Sequence, residues 1–176
     1  MRSPSAPEPI PARADDAPAL HTLREALARW QQSRGITQWT PGEVSQAQIL
    51  EQIQRAEWWV LHQEDHLAAA VRVLTQDPLV WPDSATARAT YVHGLMVART
   101  ASAQGLGARL LAWAETRSAA LGHDRVRLDC VSTNHRLRAY YEHRGYRPHG
   151  QVTFGPDSTW HPVTRYEKPL LPRPRE

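Results

Sequence analysis

The sequence is poor in several features that mark secreted, membrane or disulfide-rich proteins. Cys130 is its only cysteine, so no disulfide can form within the chain, and a reducing, cytoplasmic setting is expected. No apolar run approaches the roughly 18 residues that a membrane-spanning helix requires. The start of the chain is rich in proline and alanine and lacks the apolar segment of a secretory signal. The sequence therefore predicts a cytoplasmic protein without a membrane partner.

Lysine is scarce as well, because Lys168 is the only lysine and every other basic side chain, histidines aside, is an arginine. The formal net charge is +3, and the arginines are scattered among acidic residues. A nucleic-acid-binding surface needs basic residues clustered on one face, so we expect no nucleic-acid partner. A mild positive excess could instead favour a small ligand that carries phosphates.

What the chain does contain is typical of one globular domain. Its 176 residues suffice to bury a full core, and 41% of them are hydrophobic while 22% are charged. The periodic segments follow the order β-α-α-β-β-β-α-β-α-β-β, which predicts an α/β fold with a mixed central sheet. We assign residues 9–170 to this domain, and we expect the proline-rich residues 1–8 and 171–176 to be disordered tails.

Two helix starts are marked in the N-terminal half. Asp16 is placed to cap a helix with Pro18 in its first turn. Ser45 and Gln48 have the spacing of a capping box, which predicts a second helix. Apolar residues recur along the first helix at spacings of three and four, as expected for a buried face: Leu20, Leu23, Leu27 and Trp30.

Strand-like runs surround these helices. Residues 58–62 and 67–74 are separated by a short polar segment, which predicts a hairpin. Residues 75–89 contain too much proline for regular structure, and a long ordered loop of this kind often shapes a binding pocket. Short strands are predicted at residues 151–154 and 163–166.

The stretch from residue 90 to residue 146 is the most informative. A strand over residues 91–97 leads to the turn Gln104-Gly105-Leu106-Gly107, and an amphipathic helix follows. Glycines allow positive φ and a close approach to backbone, and a helix N-terminus attracts anions. The turn alone is equally compatible with a tight connection that binds nothing. The third glycine of a dinucleotide-binding motif is missing, because Leu110 stands in its place, and no P-loop lysine follows.

Further along, Asn134 is followed by the segment Tyr140-Tyr141-Glu142-His143-Arg144-Gly145-Tyr146. Together with the strand, the glycine turn and the helix, this pattern resembles the GNAT family of N-acetyltransferases. The resemblance implies a fold in which two central parallel strands splay apart and hold acetyl-CoA between them. It also implies the cofactor-binding residues, which are Leu95, Met96, Val97, Ser102, Ala103, Gln104, Gly105, Leu106, Gly107, Ala108 and Asn134.

One of these positions has a second interpretation, and two depart from the family. Asn134 is also a suitable N-cap for the helix that it begins. The family's loop usually opens with Arg or Gln followed by Gly, whereas this chain has Ser102 and Ala103. One side-chain contact to phosphate is therefore lost, and Arg99 and Arg109 are the candidates to replace it.

The resemblance also implies catalytic roles. Tyr141 stands where the family places the acid that protonates the leaving thiolate, and an ordinary tyrosine pKa of about 10 keeps the phenol protonated at neutral pH. His93 is the candidate base, although strand alternation would put it with Tyr91 and Leu95 as a packing residue. The other candidate bases are Asp77, Asp129, Glu57 and a chain of water molecules. A backbone N–H near Met96 would meet the oxyanion.

The predicted function is transfer of an acetyl group from acetyl-CoA to a primary amine of a small molecule or peptide by direct attack, without a metal. The alternatives are a non-catalytic acyl-CoA-binding module, a transferase that uses another acyl-CoA and, less well supported, a dinucleotide-binding domain. The acceptor should meet the N-terminal helices, the Gln38-Trp39 loop and residues 75–89, where Glu43, Asp77 and Asp83 could attract a cation. Homodimers are common in the family, so we also expect that a homodimer could form.

Overall fold

The computed structural model describes residues 8–170, so the predicted tails fall almost wholly outside the described residues. Within them, the order of helices and strands is the predicted one. The elements are β1 Ile10–Pro11, α1 Ala17–Ser33, α2 Gln46–Gln54, β2 Trp58–Gln63, β3 His66–Leu74, β4 Ala89–Val97, α3 Leu106–Ala120, β5 Arg125–Val131, α4 His135–His143, β6 Arg147–Val152 and β7 Val163–Pro169. No helix among them is long and apolar enough to cross a bilayer.

The seven strands of residues 8–170 form one mixed sheet in the order β1-β2-β3-β4-β5-β7-β6. Its single parallel pair is β4 with β5, which begins at Ala89 opposite Arg125 and ends at Val92 opposite Leu128. Beyond that point β4 continues to pair with β3 as far as Val97, while β5 pairs only with β7. The two central strands therefore separate, and the predicted α/β fold with splayed parallel strands is confirmed.

Helices cover both faces of the sheet. One face packs against α1 and α2 through a cluster of buried residues, namely Ala17, Leu20, Leu27, Ile49, Ile53, Trp58, Val60, Ala70 and Met96. The other face packs against α3 and α4 and contributes the larger cluster, which includes Val71, Val92, Leu106, Leu110, Leu111, Leu128, Tyr141 and Tyr166. The splayed ends of β4 and β5 are therefore reached by α1 and its loop from one face and by α3 and α4 from the other.

A bulge in β4 changes which face its side chains meet. Arg72 of β3 pairs with His93 and Ala70 pairs with Met96, so two residues of β4 lie opposite one residue of β3. Gly94, within the bulge, has a φ of +54°. Leu95 packs with the α3 face, whereas His93 lies on the opposite face. The expectation that alternation groups His93 with Leu95 is therefore wrong, because the extra residue reverses the alternation.

Of the two helix caps predicted from the sequence, the one at Ser45 is confirmed and the one at Asp16 is wrong. The capping box is confirmed: Gln48 N donates to Ser45 Oγ at 3.1 Å, and Ser45 N donates to Gln48 Oε1 at 2.8 Å. The first helix follows Asp16 as predicted, but the Asp16 carboxylate does not cap it. Its Oδ2 accepts a hydrogen bond from Arg13 N at 2.7 Å instead, because a short 3-10 turn precedes the helix.

The predicted hairpin is confirmed, since β2 ends at Gln63 and β3 begins at His66. The strand predicted at residues 151–154 instead spans Arg147–Val152. Pro148 and Gly150 argue against a strand in the sequence, but β6 lies at the edge of the sheet, where proline is tolerated. A register shift between Pro148 and Gln151 accommodates Gly150, whose φ is +84°.

Replacing Gly94 with alanine is expected to destabilise the fold strongly. A Cβ at this residue would lie 2.7 Å from Trp58 Cη2, which is buried against α1 and α2, and the positive φ would add backbone strain. The free energy of unfolding should fall by about 2–4 kcal/mol, as measured by denaturant titration. Gly155→Ala is the control, because Gly155 is exposed with open space around it. Equal stability of the two variants would contradict the role given to the bulge.

Candidate functional site

A cleft of about 500 Å³ lies where β4 and β5 separate. Its walls are formed by α1, the loop after it, the two splayed strands, the loop before α3 with the first turn of that helix, and α4. The side chains and backbone that line it include Leu27, Gln31, Gln38, Trp39, His93, Leu95, Val97, Arg99, Ser102, Ala103, Gly105, Leu106, Gly107, Ala108, Asp129, Leu137, Tyr140, Tyr141 and Arg144. The cleft is thus lined by residues from both faces of the sheet.

The glycine turn forms one wall. Gly105 has a φ of +71° at the N-cap of α3, and no side chain caps the helix there. The N–H groups of the first helical turn are therefore available at the cleft, where a helix N-terminus favours an anion. Ala103 also has a positive φ, +66°, which costs a non-glycine residue about 1–2 kcal/mol. The loop thus adopts at Ala103 the backbone conformation for which glycine is preferred.

Gly107 has a different role. It lies inside α3 and is not among the residues with positive φ. A Cβ added there would lie 2.9 Å from Tyr140 Oη. Gly107 therefore allows α4 to approach the first turn of α3 closely.

Most, but not all, of the predicted cofactor-binding residues line the cleft. The side chain of Met96 is buried against α1 and α2, and Gln104 Oε1 accepts a hydrogen bond from Gln63 Nε2 at 2.7 Å. Asn134 is engaged at both ends of its amide: Oδ1 accepts from Leu137 N at 3.2 Å, and Nδ2 donates to Gln38 Oε1 at 3.1 Å. The N-cap interpretation of Asn134 is confirmed.

Tyr141 lies at the centre of an aromatic group at the base of the cleft. Its ring centroid is 5.7 Å from that of Tyr140, 6.0 Å from that of Tyr146 and 6.1 Å from that of Tyr166. Burial, helped by the nearby Cys130 and Asp129, raises the pKa of the Tyr141 phenol above its ordinary value. The phenol therefore keeps its proton throughout the neutral range.

His93 lies on the other face, between two carboxylates. Its Nε2 donates to Asp77 Oδ2 at 3.0 Å, and its Nδ1 is 3.9 Å from Asp129 Oδ1, which is too long for a hydrogen bond. Burial opposes the imidazolium most strongly, yet the bond to Asp77 and the charges of Asp129 and Asp77 together outweigh it. The pKa of His93 is therefore raised above 6.5.

Asp129 faces the cleft beside His93. Its Oδ1 is buried and has no hydrogen-bond partner among the described residues. Burial raises the pKa of this carboxyl, and the charge of Asp77 adds to the rise while His93 opposes it. Ligand atoms of Asp77, His93 and Asp129 all lie within 4.8 Å of one another, a spacing that a metal ion could also use. The hydrogen bond between Asp77 and His93 already engages Asp77 Oδ2 and His93 Nε2.

The remaining acids named from the sequence are paired away from the cleft. Glu57 binds Arg55 Nε at 2.7 Å and Arg72 Nη2 at 2.6 Å, at the edge of a separate surface pocket. Glu43 binds Arg24 at 2.9 Å, and Asp83 accepts two bonds from Arg127 at 3.0 and 3.1 Å. Among the acids named from the sequence, Asp129 is therefore the one that lines the cleft.

Charged groups of both signs line the cleft. Arg99 and Arg144 are its lining arginines, and Gly105 to Ala108 add the N-terminus of α3. His93 and Asp129 line the cleft beside one another. Sequence reasoning missed Arg144 as a site residue, although it lies inside the Tyr140-to-Tyr146 motif that carried the resemblance. This lining can accommodate both an anionic and a cationic group.

Comparisons with known proteins found a matching family and proteins of similar fold. The model of the Acetyltransferase (GNAT) family matches residues 24–146. The uncharacterized N-acetyltransferase YesJ of Bacillus subtilis (strain 168) is 34% identical over 142 residues, which cover 77% of this chain and 79% of YesJ.

Solved structures of similar fold include a GNAT-family acetyltransferase from Listeria monocytogenes 4b F2365. It has a TM-score of 0.76 and 26% identity, and the match covers 93% of this chain and 94% of that one. N-acetylglutamate synthase from Neisseria gonorrhoeae, complexed with coenzyme A and N-acetyl-glutamate, has a TM-score of 0.68 and 18% identity. That match covers 93% of this chain and 35% of the synthase.

Removing the charge of Asp77 should lower the pKa of His93. In Asp77→Asn the negative charge that favours the imidazolium is lost while burial remains, so the pKa should fall. An NMR titration of the histidine ring protons measures this. His123 serves as the internal control, because its pKa is lowered by its own burial and by Arg88. An unchanged His93 titration would contradict the assigned pairing.

Proposed function

The chain belongs to the GNAT family of acetyltransferases, and we propose that it transfers the acetyl group of acetyl-CoA to a primary amine of a small molecule or peptide by direct attack. The observation that carries this proposal is the position of two proton-handling side chains. His93 and Tyr141 reach the same cleft from opposite faces of the sheet, at the point where β4 and β5 separate.

The cleft fits coenzyme A in its chemistry. The uncapped start of α3 and the loop residues Ser102 to Ala108 would hold the pyrophosphate through backbone N–H groups. The edge of β4 at Leu95, Met96 and Val97, which lacks β5 as a partner, would bind the pantetheine arm as an added strand would. The Neisseria gonorrhoeae synthase of the same fold is complexed with coenzyme A, which supports this assignment. Acetyl-CoA, when bound, supplies the activated acetyl thioester.

His93 is the proposed base. An amine attacks only in its neutral form, so a proton must leave it near neutral pH. The Nε2–H bond to Asp77 fixes the tautomer in which Nδ1 carries the lone pair, beside Asp129 and the cleft. Nδ1 would take the proton of the amine, and the neighbouring carboxylates would stabilise the imidazolium that results.

Tyr141 is the proposed acid. Its phenol is buried among aromatic rings, and its raised pKa keeps the proton on Oη at neutral pH. Oη would donate a hydrogen bond to the sulfur as the C–S bond breaks and would pass its proton to the leaving thiolate, which prevents the reverse reaction. A backbone N–H near Met96 would stabilise charge on the carbonyl oxygen.

The acceptor would enter beside α1. Leu27 and Trp39 give this part of the cleft apolar surface, while Gln31 and Gln38 add amides. Oε1 of Gln38 is already bound to Val131 N and Asn134. Asp129 supplies a carboxyl that an ammonium group can approach before it is deprotonated.

The direct test is release of free CoA thiol from acetyl-CoA across a panel of primary amines, including polyamines, amino acids, aminoglycosides and peptides with free N-termini. Turnover with at least one amine, and acetylation of its nitrogen seen by mass spectrometry, is the expected result. Binding of acetyl-CoA without turnover on any amine would favour a non-catalytic module. Faster turnover with a longer acyl-CoA would favour another acyl donor.

Tyr141→Phe should lower kcat by about 100-fold, the usual contribution of a positioned acid. The phenyl ring keeps its aromatic neighbours, so the Kd for acetyl-CoA should hardly change. Tyr140→Phe is the matched control on the same helix and should retain turnover, because Tyr140 is not the proposed acid. Steady-state kinetics and calorimetric titration separate the two effects. Unchanged kcat in Tyr141→Phe would refute the assignment.

The pH profile should identify His93. The base must be neutral, and its pKa is raised, so kcat/KM should rise with pH through a value above 6.5 and then level off. His93→Gln should lose this rise along with about 100-fold in rate. A profile that keeps the same inflection in His93→Gln would show that another group removes the proton.

A further inference from the structure

Arg144 follows α4 directly and lines the cleft. Its guanidinium lies over the Tyr140 ring, 3.6 Å from the ring centroid, and Nη1 donates to Tyr140 O at 3.3 Å. These contacts hold the side chain against α4 and restrict its freedom. An arginine that is already ordered loses less entropy when it binds a ligand.

The charge of Arg144 is not neutralised within the part of the chain that the structure describes. No carboxylate there pairs with it, whereas buried Arg127 binds both Asp83 and Glu167. In addition, Arg144 Nε is buried and has no hydrogen-bond partner among those residues. A buried N–H donor without an acceptor is costly, and the cost is removed if a ligand supplies the acceptor.

The location of Arg144 indicates the kind of ligand. Tyr140, on which it stacks, touches α3 at Gly107, in the first turn of the helix. The uncapped N-terminus of α3 and the guanidinium of Arg144 therefore contribute positive potential to neighbouring walls of one cavity. An oxygen-rich anion would satisfy both, because backbone N–H groups and a planar guanidinium are the usual donors to phosphate.

We propose that Arg144 binds the pyrophosphate of coenzyme A and supplies the side-chain contact that Ser102 and Ala103 cannot make. This inference rests on the proposed function for the identity of the cofactor. The arginines named from the sequence fit less well. Arg99 is exposed and lies over the ring of Trp30 in α1, on the opposite wall, and Arg109 does not line the cleft.

The test is calorimetric titration of the full chain with CoA and with dephospho-CoA, which lacks the 3′-phosphate but keeps the pyrophosphate. Arg144→Gln should weaken binding of both ligands by the same factor, on the order of tenfold. The salt dependence of its Kd should also be shallower than that of the unsubstituted protein, since one ionic contact is lost. Arg136→Gln is the matched control: Arg136 is exposed on α4, outside the cleft, and carries the same charge change.

Thermal unfolding without ligand shows whether each variant folds. If Arg144→Gln does not fold, Arg144→Lys replaces it. Lysine keeps the positive charge and the contact with the Tyr140 ring but lacks the paired N–H donors of the guanidinium. Weaker binding of both ligands is therefore expected. Binding by the Arg144 variants equal to that of Arg136→Gln would overturn the inference. A loss confined to CoA, with dephospho-CoA unaffected, would assign Arg144 to the 3′-phosphate and also overturn it. Failure of the unsubstituted chain to bind either ligand would instead refute the proposed function.

Discussion

The separation of β4 from β5 is the constraint on which the site depends. Once pairing ends at Val92 and Leu128, the facing edges of two central strands have backbone donors and acceptors without strand partners. One of these donors is satisfied by a residue far away in the sequence, because Val131 N donates to Gln38 Oε1 at 3.2 Å. Since Gln38 also binds Asn134, the loop after α1 is hydrogen-bonded to the end of β5 and to the start of α4. In the function that we propose, the edge of β4 that lacks β5 as a partner binds the pantetheine arm.

The bulge at Gly94 determines which side chains of the site lie on each face of the sheet. It places Leu95 with the α3 and α4 side of the sheet and leaves His93 with Asp77 and Asp129 on the other. Tyr141 reaches the cleft from the α4 side. The proposed base and the proposed acid therefore approach one reacting centre from opposite directions, as proton removal from an incoming amine and proton delivery to a leaving group require.

His93 depends in turn on a loop that has no regular structure. Asp77 belongs to the segment between β3 and β4, which is anchored through buried Arg127. The Arg127 guanidinium lies 4.3 Å from the Trp81 ring centroid and binds Asp83 and Glu167. Burial opposes the charge of Arg127, but these hydrogen bonds outweigh it and raise its pKa. The anchor holds Asp77 where it can fix the His93 tautomer.

Local signals in the sequence determined the order of elements, the capping box at Ser45, the hairpin and the glycine turn, because each depends on neighbouring residues. The motif around Tyr141 also identified the family. Only the tertiary structure decided the side on which His93 lies, since a single extra residue in β4 reverses the alternation expected of a regular strand. It likewise decided that β6 tolerates Pro148 and that Arg144 has no carboxylate partner among the described residues. These outcomes depend on contacts between residues distant in the chain, and periodicity carries no information about them.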